Sequence, residues 1–185
     1  VVYDIKKLEF GDTFFIGNNS SSLAVNQIEV YNGLIYAATD TGVFTADITS
    51  DLLIDFNNWN EQFSGRNFSQ ISLFDNQLYV AEGTRLYRLN EGALIEVRNF
   101  FQNILAIKPS PSHLSVTLKT SAEVLNSSMN SVFRFAKTTE FDFTLNKSTD
   151  KNILIICKPI NLVKMKMIQF ALNSNEIEFE HFNLF

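Results

Sequence analysis

Ile28-Glu-Val-Tyr-Asn-Gly-Leu-Ile-Tyr36-Ala and Ile71-Ser-Leu-Phe-Asp-Asn-Gln-Leu-Tyr79-Val are two copies of one pattern, aligned without a gap at a shift of 43 residues. The same shift places Gly42-Val43-Phe44 on Arg85-Leu86-Tyr87. A repeat of about 40 residues made only of short extended runs is typical of a β-propeller blade. The sequence therefore predicts an all-β fold, a partial or open β-propeller with four-stranded antiparallel blades.

Turn residues divide each unit into strands. Asn32-Gly33 separates the first two extended runs, because both residues tolerate the positive φ that a two-residue hairpin turn requires. Asp75-Asn76 occupies the same place in the second copy. A second turn, Asp40-Thr41-Gly42, precedes the run Val43–Ala46, and its counterpart is Gly83-Thr84. Each unit is thus predicted as three clear strands joined by tight turns and followed by a weaker fourth strand.

The fourth strands have the weakest pattern. We predict Thr13–Ile16 for an opening half blade, Leu52–Phe56 for the second unit and Leu94–Val97 for the third. Asn57-Asn58-Trp59 closes the second unit, and Trp59 is expected to pack against the sheet rather than to stack on a ligand.

Beyond residue 100 the units keep the pattern of strands and turns, but their residues no longer match those of the first two copies. One unit is predicted to have four strands, with a turn at 109–112 between the first two: Ile104–Ile107, Leu114–Leu118, Ala122–Leu125 and Val132–Phe135. Two more strands, Phe141–Leu145 and Ile153–Ile156, open the next unit. These units are therefore predicted as degenerate blades.

The last part of the chain has two segments of strict alternation, Val163–Met167 and Glu176–Glu180. Alternation favours strands, so we predict a hairpin that sets Lys164 and Lys166 near Glu178 and Glu180. A helix over 162–171 is the competing prediction, because Leu, Lys, Met and Gln all favour helices.

The whole chain, residues 1–185, is predicted to be one partial propeller domain of about four and a half blades. The approximate blades are a half blade at 1–19, then 20–62, 63–100, 101–136 and 137–185. Because the pattern starts in mid-blade and unpaired sheet edges are a liability, we expect a piece of a larger ring. Closure by a neighbouring chain is the alternative.

Composition excludes several functions. The 185 residues carry a net charge of −5 without a basic run, so nucleic acid is not an expected partner. No apolar run approaches the length of a membrane span, so no membrane-spanning segment is expected.

Catalysis is not expected either. The two histidines, His113 and His181, fall in different units, and both are expected on the surface. Cys157 lies in an apolar run and is expected to be a buried, inert thiol. Asp142 and Asp150 lack the spacing of a calcium loop. We therefore predict no catalytic, metal-binding or cofactor-binding residues and no cofactor, although carboxylates that converge from distant blades remain an open possibility for a glycosidase.

Three stretches of the sequence resemble known propellers. Val30–Phe44 resembles the propeller repeat of two-component-regulator type, with Tyr36 where that repeat usually has Trp. Together with Val2–Gly17 and Leu53–Trp59, it resembles the N-terminal propeller of the PorZ family, whose members belong to the type IX secretion system of Bacteroidetes. The resemblance extends over about residues 1–90.

The resemblance implies a non-enzymatic protein at the cell surface or outer membrane of a Gram-negative bacterium. Its implied partners are the sortase PorU, PorV and PorQ of the attachment complex, together with anionic lipopolysaccharide or a glycan that it helps present to the sortase. It assigns no ligand-binding residues. The alternative is a periplasmic glycan-sensing propeller of a hybrid two-component regulator, although Tyr36 in place of Trp and the 12–17 segment are less typical of that class.

Overall fold

The computed structural model describes residues 3–11, 13–90, 92–136, 141–148, 152–159, 166–173 and 176–183, the last four ranges as backbone strands only. Apart from two 3-10 turns, the regular structure in these ranges is β. The chain divides into two compact units, Val1–Ile71 and Ser72–Phe185.

The first unit contains a short antiparallel pair and one sheet of four strands. The pair consists of β1 (Tyr3–Asp4) and β2 (Glu9–Phe10). The sheet, called here the first sheet, consists of β3 (Val25–Tyr31), β4 (Leu34–Thr39), β5 (Val43–Asp47) and β6 (Asn60–Gln62).

Three further antiparallel sheets follow along the chain, each made of four consecutive strands. The second sheet consists of β7 (Gln70–Phe74), β8 (Gln77–Glu82), β9 (Arg85–Asn90) and β10 (Ala93–Asn99). The third consists of β11 (Ile104–Pro109), β12 (Leu114–Leu118), β13 (Ser121–Leu125) and β14 (Ser131–Ala136). The fourth consists of β15 (Phe141–Ser148), β16 (Asn152–Pro159), β17 (Lys166–Asn173) and β18 (Glu176–Asn183). The prediction of an all-β chain of four-stranded antiparallel blades is confirmed.

The hairpin turns adopt the backbone that their residues allow. Asn32 and Gly33 have φ values of 49° and 76°, and Asp75 and Asn76 have 48° and 56°. Positive φ at both central residues is the geometry of a type I′ turn, which matches the twist of the flanking strands. The turns predicted at these two places are confirmed.

Gly42 is required because there is no room for a side chain, and not because of its dihedral angles. A Cβ at this position would lie 2.8 Å from the carbonyl oxygen of Gln62 on β6. Thr39 holds the same turn, since its Oγ1 donates to the Gly42 carbonyl at 2.8 Å and accepts from the Gly42 N–H at 3.0 Å. The turn and the edge strand β6 therefore approach too closely for a side chain.

We expect Gly42→Ala to lower the free energy of unfolding by about 1–3 kcal/mol, because β6 must move to relieve the contact. Urea denaturation measures the difference. Asp40→Ala, an exposed change in the same turn, serves as the control and is expected to change stability by less than about 0.5 kcal/mol. Equal losses in the two variants would contradict the packing explanation.

Two of the predicted fourth strands are wrong. Thr13–Ile16 is not a strand, and the residues that precede it form only the short pair β1–β2. Leu52–Phe56 forms turns that lead into a 3-10 turn at Phe56–Asn58, and the fourth strand of the first sheet is β6.

Local hydrogen bonds explain the second error. The Asp55 carboxylate accepts from the backbone N–H of Asn57 at 2.9 Å, and Asn58 Nδ2 donates to the Leu52 carbonyl at 3.0 Å. Short polar side chains that bond to nearby backbone compete with a strand ladder. The predicted fourth strand at Leu94–Val97 is confirmed within β10.

One buried cluster of the first unit lies on one face of the first sheet. Ile16, Ala37 and Phe44 are buried together, and Phe14, Leu23 and Trp59 pack against them. Trp59 Nε1 donates to the Leu53 carbonyl at 2.9 Å, which satisfies its polar atom. The prediction that Trp59 packs against the sheet is confirmed.

The core of the second unit lies between the second and third sheets. Ala81 and Leu86 from the second sheet belong to the same buried cluster as Leu114, Val116 and Leu125 from the third. A β-bulge falls between Glu96 and Arg98 in β10, so that Arg98 rather than Val97 stands opposite Leu86. The bulge therefore places a charged side chain on the face that meets the third sheet.

The last hairpin is confirmed as two strands, which rejects the helix over the described part of 162–171. The predicted charge pairing at Lys166 is wrong, because Lys166 lies opposite Asn183. Glu178 and Glu180 instead lie opposite Ala171 and Gln169. Asn173 pairs with Glu176 at one end of the hairpin, and this pair fixes the register of all the others. Lys164 lies outside the described residues.

Candidate binding pocket between the second and third sheets

A polar pocket of about 290 Å³ lies where the second and third sheets meet. Six of its lining residues carry polar side chains: Asp75, Gln77, Tyr79, Arg88, Ser127 and Ser128. Val97 and Met129 complete the lining. The pocket therefore combines a mostly polar surface with a small apolar part.

The second sheet contributes the polar end of one of its faces. Tyr79 on β8 stands directly opposite Arg88 on β9, so the two side chains share a face. Gln77 lies two residues before Tyr79 on the same strand and projects from that face as well. Asp75 belongs to the type I′ turn that precedes β8. Local strand geometry therefore positions all four side chains together.

The third sheet contributes the β13–β14 loop. Asn126 Oδ1 accepts from the backbone N–H groups of Ser128 at 3.1 Å and Asn130 at 3.0 Å. From the second sheet, Arg98 Nη1 donates to the carbonyl of Met129 at 2.9 Å. The loop that presents Ser127 and Ser128 is therefore held both by its own asparagine and by an arginine on the facing sheet.

Arg98 belongs to an ion-pair cluster between the sheets that is centred on Glu123. Arg98 Nη2 lies 2.8 Å from Glu123 Oε2, and Arg134 Nε lies 3.5 Å from the other carboxylate oxygen. The Glu123 side chain is 7% exposed and that of Arg98 28%. The guanidinium carbon of Arg98 also lies 5.2 Å from the centre of the Phe100 ring. This cluster supports the loop and does not line the pocket.

Tyr79 is the most buried polar residue of the pocket, at 3% exposure. Its ring packs against Phe74 at a centroid distance of 6.1 Å. Burial raises the pKa of the Tyr79 phenol above its ordinary value, the charge of Arg88 opposes this rise and that of Asp75 adds to it. The phenol is therefore neutral at physiological pH and acts as a hydrogen-bond donor and acceptor rather than as a base.

The charged groups of the pocket are not paired with each other. Arg88 Nη1 donates to Gln77 Oε1 at 3.2 Å, and the Tyr79 hydroxyl lies 3.5 Å from the same oxygen. Within the described part of the chain, neither Asp75 nor Arg88 forms an ion pair. Both retain hydrogen-bonding capacity toward the pocket.

No ligand-binding residue was predicted from the sequence, and this pocket was not anticipated. The signal lies in the differences between the two copies of the repeat. Tyr79 corresponds to Tyr36, but Gln77 and Arg88 correspond to Leu34 and Thr45. A position where one copy carries leucine or threonine and the other an amide or a guanidinium marks a residue that the blade itself does not require.

Of the residues considered for catalysis, His113 alone has a described side chain, and it does not line this pocket. His113 is half-buried in the turn between β11 and β12, and its Nδ1 lies 2.8 Å from Ser112 Oγ. Cys157, His181 and Asp142 lie on strands of the fourth sheet whose side chains are outside the described residues, as is Asp150 altogether. Among the residues that the structure describes, no group of three or more His, Cys, Asp or Glu side chains could hold a metal ion.

Neither a protein-family model nor a curated protein sequence matches this chain. Solved structures do. PorZ, described as an essential bacterial surface component of the type IX secretion system of Porphyromonas gingivalis, matches over 98% of this chain and 23% of its own length, at 10% identity and a TM-score of 0.66. The N-terminal domain of Nup159 matches over 86% and 48%, at 15% identity and a TM-score of 0.60. Kluyveromyces lactis Hsv2 matches over 85% and 60%, at 14% identity and a TM-score of 0.51.

These likenesses concern the fold. The similar structures are propeller-type domains, and the chain is a partial β-propeller. It spans less than two thirds of the length of each of the three structures.

Proposed function

We propose that this chain is part of a non-catalytic surface protein of the type IX secretion system. The observation that carries the proposal is the likeness to PorZ, which extends over 98% of this chain with a TM-score of 0.66. The residues of 1–90 that resemble the PorZ family support it independently of the fold.

In this role the propeller is a scaffold of the attachment complex. Its partners are the sortase PorU together with PorV and PorQ, and it helps present anionic lipopolysaccharide to the sortase at the cell surface. The neutral phenol of Tyr79 is in keeping with a pocket that binds rather than catalyses. The described residues contain no helix long and apolar enough to cross a membrane.

Affinity capture from the native cell envelope tests this proposal. A tagged copy of the full protein that carries this chain, expressed in its own host, is expected to recover PorU, PorV and PorQ from mild detergent extracts. Deletion of the protein is expected to reduce the attachment of anionic lipopolysaccharide to exported cargo. Recovery of the tagged protein without PorU and PorV, under extraction conditions that keep the complex intact, would exclude it from the complex.

A glycan-sensing propeller of a hybrid two-component regulator is the second candidate, and the pocket favours it because its hydrogen-bonding side chains suit a ligand rich in hydroxyl groups. This candidate predicts that ligand addition drives dimerisation of the protein, which analytical ultracentrifugation detects. A protein that stays monomeric when its pocket is saturated contradicts it.

A further inference from the structure

The charges of the pocket favour neither an anion nor a cation. Asp75 repels an anion that Arg88 attracts, and Arg88 repels a cation that Asp75 attracts. An apolar ligand would cover the Tyr79 hydroxyl and the Arg88 guanidinium without giving them partners, which is costly. A neutral ligand with several hydroxyl groups avoids both penalties, because each hydroxyl can donate to the carboxylate and accept from the guanidinium.

The size and rim of the pocket suit one unit of such a ligand. Its volume of about 290 Å³ lies just below the range of about 300–1,000 Å³ for small-molecule sites. Asp75, Gln77, Ser127 and Ser128 are exposed, whereas Tyr79 is buried at the base. A ligand held against Tyr79 can therefore extend past the rim into solvent.

The polar lining is not a by-product of blade geometry. Leu34 and Thr45 occupy the positions of Gln77 and Arg88 in the first sheet, which has the same strand order and the same type I′ turn. A four-stranded sheet of this repeat thus forms without the amide and the guanidinium. Their presence in the second sheet points to a ligand.

We propose that the pocket formed by Asp75, Gln77, Tyr79, Arg88, Ser127 and Ser128 binds one uncharged saccharide unit. Asp75 accepts hydrogen bonds from ligand hydroxyls, and Arg88 and Tyr79 donate to them. The two serines contact the opposite side of the ring. This site deepens the second candidate function by naming the residues and the class of ligand, whereas the lipopolysaccharide of the first proposal is anionic; it rests on the pocket itself, so binding without dimerisation would support the site and contradict the sensor.

Ligand titration followed by nuclear magnetic resonance tests the proposal on the full chain. The probes are galactose, mannose and N-acetylglucosamine as neutral sugars, glucuronate as an anion, glucosamine as a cation and serine as a zwitterion. We expect at least one neutral sugar to shift the resonances of Tyr79, Ser127 and Ser128 and to bind more tightly than the charged probes. Tighter binding of glucuronate, glucosamine or serine overturns the proposal, as does the absence of any shift with neutral sugars at about 50 mM, far above a millimolar dissociation constant.

Variants locate the site. Arg88→Thr and Gln77→Leu introduce the residues that the first sheet already carries, so the fold is expected to tolerate them. Removing a hydrogen bond from a charged group is expected to weaken binding by about 10- to 100-fold for Arg88→Thr. Asp75→Asn is expected to act in the same direction.

Arg85→Thr is the matched control, because Arg85 lies on the same strand but pairs with Glu96 and does not line the pocket. It is expected to leave the affinity unchanged. Equal weakening in the Arg85 and Arg88 variants overturns the assignment. Capture of PorU and PorV does not depend on this pocket, so the two tests fail or succeed separately.

Discussion

Replacement of Ile71 by alanine is expected to lower the free energy of unfolding by about 2–5 kcal/mol. Ile71 is fully buried at 0% exposure, and its backbone N–H donates to Gln27 Oε1 at 3.4 Å. Its truncation removes apolar area from the core and leaves a cavity, and both effects oppose folding. Urea denaturation of Ile71→Ala, of a control variant, Ile28→Ala, and of the parent chain measures the free energies of unfolding that are compared.

Ile28→Ala is the internal control for this prediction. Ile28 occupies the same position of the repeat as Ile71, but its side chain is 57% exposed. We expect a loss below about 1 kcal/mol, set by strand propensity rather than by burial. A loss at Ile28 as large as that at Ile71 would contradict the exposure of this face of β3.

The second large effect is expected at Arg98. Arg98→Ala leaves the buried carboxylate of Glu123 with only Arg134, whose Nε lies 3.5 Å away, and frees the Met129 carbonyl. Removing one partner of a buried ion pair costs about 3–5 kcal/mol. Because the Arg98 side chain is 28% exposed, we expect a value near the lower end, about 3 kcal/mol.

Arg85→Ala is the control for the ion pair. Arg85 Nε lies 3.5 Å from Glu96 Oε2 on the solvent side, with side-chain exposures of 53% and 44%. Such exposed pairs contribute little because water and salt screen them. We expect no measurable change in the free energy of unfolding from urea denaturation. A loss equal to that of Arg98→Ala would show that the contacts of Arg98 with the third sheet add nothing to stability.

The parts of the fold that were predicted correctly depend on neighbouring residues. Asn32-Gly33 and Asp75-Asn76 adopt positive φ because these residue types tolerate it, and this alone sets the two hairpins. The prediction failed at Leu52–Phe56, where an apolar run resembles a strand. There Asp55 and Asn58 bond to nearby backbone instead, and β6 takes the edge of the sheet.

The candidate site could be predicted only in part. Gln77, Tyr79 and Arg88 share a face by strand alternation, which the sequence shows, and the contrast with Leu34 and Thr45 marks two of them. Ser127 and Ser128 come from another sheet, about 50 residues away along the chain. Their place in the pocket follows from sheet packing and from the bulge that turns Arg98 toward their loop, neither of which has a local signal.

The sequence by itself determined the strands, the tight turns and the repeat, because these follow from alternation and from the backbone preferences of adjacent residues. Only the tertiary structure decided which side chains are buried, which charges meet and where a pocket opens. Ile28 and Ile71 show the difference, since the same residue at the same position of the repeat is exposed in one copy and buried in the other. Burial is a property of what packs against a residue, and the local pattern does not contain that information.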